Sequence, residues 1–374
     1  MIPVNSSIKS FSVHKLHVPV GRVIGDSMCH YEAFRMAVVR LETRSGLVGW
    51  GFGEKAHGGY FAKEAAWNRP LPSPSALSAA FEERFWPWLK SRSALASKLI
   101  MPKKIIAGDD ALVLATRMAL WDLIGKEAEL PLFRLLGGED ARESVPAYAS
   151  ACEFQQSDEF LRDFYSAKMR DGFRMFKIKV GHPDPTRDLR RLLIMREVIG
   201  ADCSLAADAN KAWTAEETIE RIAFFNDNGV DLAYIEDPLD PLDLDGHRRL
   251  AEGCPVPVVG HDYAREASDT RALLKTGALG MLRARDGLDY GIELLPLAME
   301  FDRPMIVANT PFEWNIHFAQ SCPQVGRIEF SDQAWNRLPK SPVTIKEGRM
   351  FAPQSPGHGF DPDPEVFSAW SIDE

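Results

Sequence analysis

The spacing of hydrophobic positions changes twice along the chain. Over residues 8–54 apolar and polar residues alternate or form short β-branched runs, which predicts strands. The run 34–42 meets a turn at Ser45-Gly46 and returns over 47–52, so this pair reads as a hairpin. Gly49, Gly51 and Gly53 follow in alternation. Their spacing fits neither the dinucleotide nor the phosphate-loop pattern, and they read as a glycine-rich strand leading to a polar loop over 55–60. Residues 62–140 shift to helical spacing, clearest over 111–124, and the stretch 131–136 stops at Gly137-Gly138. Residues 1–140 therefore predict an α+β unit.

After Ser144 short apolar strands alternate with amphipathic helices. The strands fall at 145–151, 175–180, 204–209, 232–237, 256–262, 280–284, 304–309 and 328–330. Eight strand–helix units predict an α/β fold, a (β/α) barrel of the TIM type spanning 141–339, beside the α+β unit of residues 1–140. An open doubly wound sheet is the alternative; the polar residues gathered at the strand C-terminal ends favour the barrel. From Pro339 the chain is Pro-rich and irregular, and 340–374 is expected to complete the N-terminal unit.

Composition narrows the function. The 374 residues carry a net charge of −9 with no Lys/Arg-rich run, which argues against nucleic acid and anionic membranes as partners. No apolar run approaches the roughly 18 residues of a membrane span. The five cysteines are odd in number and widely spaced, so neither a disulfide framework nor a zinc knuckle is expected. No signal-peptide pattern opens the chain, which makes a cytoplasmic location the default.

The candidate chemistry sits at the strand ends. Alternate residues of a barrel strand point inward, so Lys177 and Lys179 share the interior while Phe176, Ile178 and Val180 pack under helices. Two adjacent ammonium groups are expected to lower each other's pKa, making one a base near neutral pH; a solvating lysine pair is the bland alternative. The next three strands end in Asp208, Glu236 and Asp262. Crowded carboxylates repel unless a cation neutralises them, and oxygen ligands suit Mg²⁺. A single Asp in such a place could be a helix N-cap, and this remains open for Asp237. Arg283 and Arg285 share one parity on the sixth strand, suited to a substrate carboxylate or to a neighbouring acidic side chain. Asn309 ends the seventh strand. Glu329, on the eighth, could donate to a developing enolate if protonated, or form a structural salt bridge.

These residues, with Ala119-Leu120-Trp121-Asp122-Leu123, Lys177-Ile178-Lys179-Val180-Gly181, Asp208-Ala209-Asn210 and Ile235-Glu236-Asp237-Pro238, make the chain resemble the enolase superfamily, in its mandelate racemase and muconate lactonizing enzyme branch. The resemblance implies Lys179 as catalytic base, Mg²⁺ on Asp208, Glu236 and Asp262, a small carboxylate substrate and a homo-oligomer. It implies that residues 1–140 form an N-terminal α+β capping domain over the barrel and that its loops 21–30 and 55–60 choose the substrate, with Arg22, His57 and Tyr60, beside Asn210 and Arg285, as contacts. The family usually has Glu or Asp-Glu where this chain has His261-Asp262. It also has a second base, an Asp–His pair or a Lys, where this chain carries Arg283 and Asn309. Loss of a second base disfavours racemisation and leaves one-base chemistry. Dehydration of an acid sugar is the first expectation, a cycloisomerase or lactone isomerase the second, and a catalytically degenerate metal-binding relative the third.

Overall fold

The computed structural model describes residues 6–57, 71–102, 111–264, 266–285 and 288–373, with the side chains of Tyr31 and residues 54–57 outside that description. Strands β1 (Ile8–Gly25), β2 (His30–Thr43) and β3 (Val48–His57) form an antiparallel sheet in that order. The central strand is apolar on both parities. Ala37, Val39 and Leu41 pack against Phe81, Phe85 and the helix Ala111–Glu127, while Met36 and Val38 join the core shared with the barrel. A strand covered on both sides needs this near-continuous hydrophobicity.

Two sequence expectations shift here. The loop expected over 55–60 starts later, because β2 is long enough to give β3 ladder partners as far as Ala33↔His57. Tyr60 and the side chain of His57 lie outside the described residues. The alternating glycines have a packing reason: a Cβ on Gly51 would stand 1.7 Å from the Ala115 carbonyl oxygen, and one on Gly53 would stand 1.7 Å from that of Ala111. The strand backbone lies directly on the helix.

All eight expected barrel strands form. They are β4 (Val145–Ala149), β5 (Met175–Lys179), β6 (Ser204–Asp208), β7 (Ile235–Glu236), β8 (Val258–Gly260), β9 (Leu279–Ala284), β10 (Met305–Val307) and β11 (Val325–Phe330). Each pairs in parallel with the next, and β11 closes on β4 with Glu329 opposite Tyr148, which rules out the open sheet. β7 is much shorter than expected: it begins only at Ile235, and it ends where Asp237 takes a left-handed φ of 45° before Pro238. Tyr148, Met175, Ala206, Tyr234, Val259 and Ile306 fill the barrel interior. Outward residues such as Phe176, Ile178 and Leu205 pack under the helices.

The C-terminal stretch is more regular than expected. β12 (Thr344–Lys346) and β13 (Arg349–Phe351) make a hairpin whose second strand pairs with β4, through Met350↔Val145. The chain meets the N-terminal sheet on both sides of this hairpin: before it, Trp335 packs on Phe34 with ring centroids 4.6 Å apart. His358 Nε2 donates to the Trp50 carbonyl at 2.8 Å, and Asp361 meets Lys126 at 2.8 Å. At the other end of the sheet the cap reaches over the barrel mouth. Gly25 N–H donates to Cys152 O at 2.6 Å, and Ser27 Oγ–H to Ala209 O at 3.0 Å. Among the described residues, no helix is long and apolar enough to cross a membrane.

The glycine contact gives a direct test. Gly51→Ala is expected to cost about 1–3 kcal/mol through overpacking. Urea denaturation measures it; a parent-like midpoint would mean that the helix moves aside freely.

Candidate active site

Parity places both lysines of β5 inside the barrel, where Lys177 is fully buried and Lys179 nearly so. Lys177 Nζ lies 2.6 Å from Glu236 Oε1, 3.2 Å from Glu329 Oε1 and 3.5 Å from Asp208 Oδ2. Lys179 Nζ lies 2.6 Å from Asp208 Oδ2 and donates to Asn210 Oδ1 at 3.0 Å. These partners correct one expectation. Burial pulls both lysines down, Arg283 adds to this at Lys177 and Lys177 adds to it at Lys179, but the carboxylates outweigh these effects and hold both pKa values well above the usual lysine range. Two cations alone would have depressed each other; two cations among carboxylates do not.

Arg283 stands across from them, 3% exposed. Its Nε lies 2.8 Å from Asp262 Oδ1 and 3.2 Å from Glu236 Oε1, Nη2 lies 2.6 Å from Glu329 Oε2, and Nη1 donates to the Tyr148 hydroxyl at 2.6 Å. Of the two roles read from sequence, the partner of neighbouring carboxylates is the one seen. Glu329 is likewise a salt-bridge residue. Burial disfavours its charge, but Lys177 and Arg283 keep its carboxyl below the ordinary range, so it is not a protonated donor. Asn309 is half-buried beside it, donating from Nδ2 to Ser331 Oγ at 2.9 Å.

The remaining carboxylates are less well compensated. Glu236, Asp237 and Asp262 each bring an oxygen within 4.8 Å of the others. Burial drives Glu236 up to about 8 against the pull of Arg283 and Lys177, and it drives Asp237 well above the carboxylate range with help from Asp262 and Glu236. Glu236 Oε2 and Asp237 Oδ1 are buried without a hydrogen-bond partner. His261 adds no proton there. Burial and then His247 lower its pKa to about 4, and its Nδ1 accepts from Tyr263 N–H while facing Asp237 Oδ1 at 3.3 Å. Asp208 differs: burial opposes its charge, but Lys179 and Lys177 hold its carboxyl below the ordinary range.

Five carboxylates (Asp208, Glu236, Asp237, Asp262 and Glu329) thus share three cations. The two-charge deficit and the unpartnered oxygens fall on the same side, around Glu236. An all-oxygen donor set of this kind fits a hard divalent cation.

The structure brings together Lys177, Lys179, Asp208, Asn210, Glu236, Asp262, Arg283 and Glu329. Arg285 sits just past β9, half-buried. Arg22 is tied elsewhere: it donates to Ala151 O at 3.3 Å and stacks over Phe160 and Phe164. Sequence reasoning missed three supporting groups. Tyr148 reads as core until its hydroxyl meets Arg283. Tyr263 O–H accepts from Asn210 Nδ2 at 3.0 Å. Glu153, fully buried past β4, accepts Lys179 N–H at 2.7 Å. No periodic signal marks a loop residue such as Glu153. Asp237 was visible only as a possible helix cap.

Comparison with known proteins gives the family and the fold. Residues 161–366 match the family described as enolase C-terminal domain-like, and residues 14–137 match the mandelate racemase / muconate lactonizing enzyme N-terminal domain. The L-talarate/galactarate dehydratase of Salmonella typhimurium is 27% identical over 339 residues, covering 86% of this chain and 79% of that enzyme. A Mesorhizobium loti structure assigned as a mandelate racemase is 32% identical with a TM-score of 0.87, covering 98% of this chain and 95% of that one. The L-talarate dehydratase of Polaromonas sp. JS666, solved with Mg and L-glucarate, is 24% identical with a TM-score of 0.79, covering 98% and 97%. Other relatives include a cycloisomerase and epimerases.

The charge arrangement predicts a stability effect. Arg283→Met leaves Asp262 without its buried partner and Glu329 with Lys177 alone, and is expected to cost roughly 3–5 kcal/mol in cation-free protein. Guanidinium denaturation reads this; an unchanged midpoint would show that the carboxylates do not need Arg283.

Proposed function

Because the chain belongs to the mandelate racemase / muconate lactonizing enzyme family of the enolase superfamily, we propose that it is a Mg²⁺-dependent enzyme that eliminates water from an acid sugar, beginning at the proton α to the carboxylate. The one-sidedness of the site carries this reading. Lys177 and Lys179 stand together, and the facing positions hold Arg283 and Asn309, neither of which is a base at neutral pH. Racemisation asks for a proton-transfer group on each face of the α-carbon. β-Elimination on one face asks for one.

Asp208, Glu236 and Asp262 are the proposed metal ligands, with Asp237 beside them through its hydrogen bond from Asp262 N–H at 3.1 Å. Bound Mg²⁺ supplies a Lewis acid for the substrate carboxylate and for the negative charge that develops on it. Lys179 is the proposed base. Once Asp208 is engaged elsewhere, Lys179 loses its counter-ion but keeps Lys177 as a neighbour, which favours the neutral amine. Its Nζ is held by Asn210, and Asn210 by Tyr263. The amine takes the α-proton, the C–O bond to the β-hydroxyl breaks, and the resulting ammonium returns that proton to the leaving oxygen as water. Lys177 and Arg283 stay charged and keep Glu329 ionised at the back of the site. Substrate contacts are proposed for Arg285 and for the cap residues His57 and Tyr60. The Polaromonas dehydratase, with its L-glucarate, makes polyhydroxy diacids the first substrates to try.

Two measurements test the proposal. Acid sugars incubated with the protein in D₂O and Mg²⁺ should yield a 2-keto-3-deoxy product, and Lys179→Ala should lower the rate about 10²–10⁴-fold. A lactone isomerised without water loss would instead favour the cycloisomerase reading, and α-exchange that survives Lys179→Ala would move the base. Separately, saturating Mg²⁺ at about a hundred times its Kd should stabilise the fold by about 2.7 kcal/mol. Glu236→Gln should abolish most of that gain; a gain unaffected by the substitution counts against the metal assignment.

A further inference from the structure

Taking Lys179 as the proposed base, we infer that Glu153 is its positioning residue, and that through Glu153 the cap segment over residues 23–29 fixes the place of the reacting amine. β4 ends at Ala149 and meets β5 at one register position, Ala149↔Phe176. Along a strand the backbone groups of alternate residues face alternate neighbours. Val180 N–H donates to Asp208 O on the β6 side at 3.0 Å, so the backbone groups of Lys177 and Lys179 face the β4 side, where the ladder has stopped. Side chains complete that edge. Lys179 N–H donates to Glu153 Oε1 at 2.7 Å, and the Tyr165 hydroxyl donates to Lys177 O at 2.9 Å while lying 3.2 Å from Glu153 Oε2.

Glu153 is fully buried, and both of its carboxyl oxygens meet uncharged partners. A carboxyl group in such surroundings is a costly brace for a loop that needs only to be filled. Its backbone is held as firmly as its side chain. Arg191, 2% exposed on the helix Pro185–Ile199, donates to Glu153 O and to Gln156 O, each at 2.8 Å. The same short segment holds the cap. Gly25 pairs with Glu153 in an isolated parallel bridge. Gln155 Nε2 donates to Asp26 O at 3.1 Å and to Cys29 O at 3.3 Å, and Gln156 Nε2 donates to Val23 O. Residues 152–156 therefore grip the cap on one side and the last residue of β5 on the other, and Glu153 itself touches both.

This link carries most weight in the reacting state. Lys179 Nζ is set by Asp208 and Asn210. Once Asp208 is engaged by the metal, as proposed, Asn210 and the backbone bond to Glu153 are left to hold the amine against the α-carbon. A misplacement of about 1 Å at a reacting group lowers a rate about 10²-fold. A cap segment settled on substrate thus sets the base, and a displaced one moves it.

The test combines kinetics with amide hydrogen exchange in Mg²⁺-loaded protein. Glu153→Ala is expected to lower kcat on an acid sugar about 10- to 100-fold, with KM and the Mg²⁺ Kd within about twofold of the parent's. It should also speed exchange at the Lys179 amide, followed by NMR on protein carrying labelled lysine. Glu153→Gln keeps an acceptor oxygen for that amide and should recover most of both losses. A lowered thermal midpoint with kcat at the parent's value is what a mere brace gives, and it overturns the assignment. Should Glu153→Ala fail to fold, Gln155→Ala frees the cap without touching Lys179; exchange at the Lys179 amide should then rise about tenfold, and unchanged exchange overturns the link. Lys179→Ala run alongside separates the two readings. Its activity at the parent's rate overturns Lys179 as base and the assignment of Glu153 with it, whereas its loss of activity beside a parent-like Glu153→Ala overturns the assignment alone.

Discussion

Charge compensation inside the barrel governs the rest of this structure. Asp208, Glu236, Asp237 and Glu329 are almost completely buried, and so are Lys177 and Arg283. None of these charges is tolerable alone in such a place, since an unpaired buried ion costs several kcal/mol. Each strand must therefore deliver its charge at the same height as its neighbours. The parallel register does this: Lys179 lies opposite Asp208, and Asp208 opposite Glu236. Below that layer the interior turns apolar, with Tyr148, Met175 and Tyr234 filling the barrel. Tyr148 belongs to both levels, its ring in the core and its hydroxyl on Arg283.

The capping sheet serves the same constraint from above. Its loop is fastened to the ends of β4 and β6 by Gly25 and Ser27, close over the lysines. A lowered dielectric strengthens every pairing beneath it and makes any missing partner more costly. The cap is itself held at its far end, where Asp122 accepts Trp50 N–H at 2.9 Å and takes Lys126 at 2.8 Å. Burial of β2 on both faces makes cap and barrel one packed body, so the loop over the site is braced by the core.

Much of this was legible in the sequence, because periodicity reports which side of an element a residue faces. Strand parity alone put Lys177 and Lys179 inside and Phe176 and Ile178 outside, and eight repeats of strand and helix specified the barrel. Three carboxylates on successive strands marked the site. What parity cannot report is the partner across the barrel. Arg283 read equally as substrate clamp or ion-pair residue, and only its distances to Asp262 and Glu329 decide between them. The direction of the lysine shifts failed for the same reason, since it depended on how many carboxylates stood within reach. Glu153 and Tyr263 lie beyond the ends of strands, where no period applies, and the β12–β13 hairpin is too short to show one. The glycines of β3 were seen but not understood, because their cause lies 60 or so residues away in the helix Ala111–Glu127.

Arg283 joins the two halves of the site. On one side it holds Asp262 and touches Glu236, in the group of carboxylates short of positive charge; on the other it holds Glu329. A lysine there would be a single point charge on a flexible stem. The planar guanidinium keeps two carboxylates and a phenol at fixed separation in one plane. That rigidity has a chemical consequence. Arginine stays protonated at any pH the fold survives, so a group committed to holding carboxylates cannot also exchange protons with a substrate. In the proposed mechanism the residue that stabilises the charge cluster is thus the same one that closes the second face of the site to proton transfer, and Lys179 is left to act from the first.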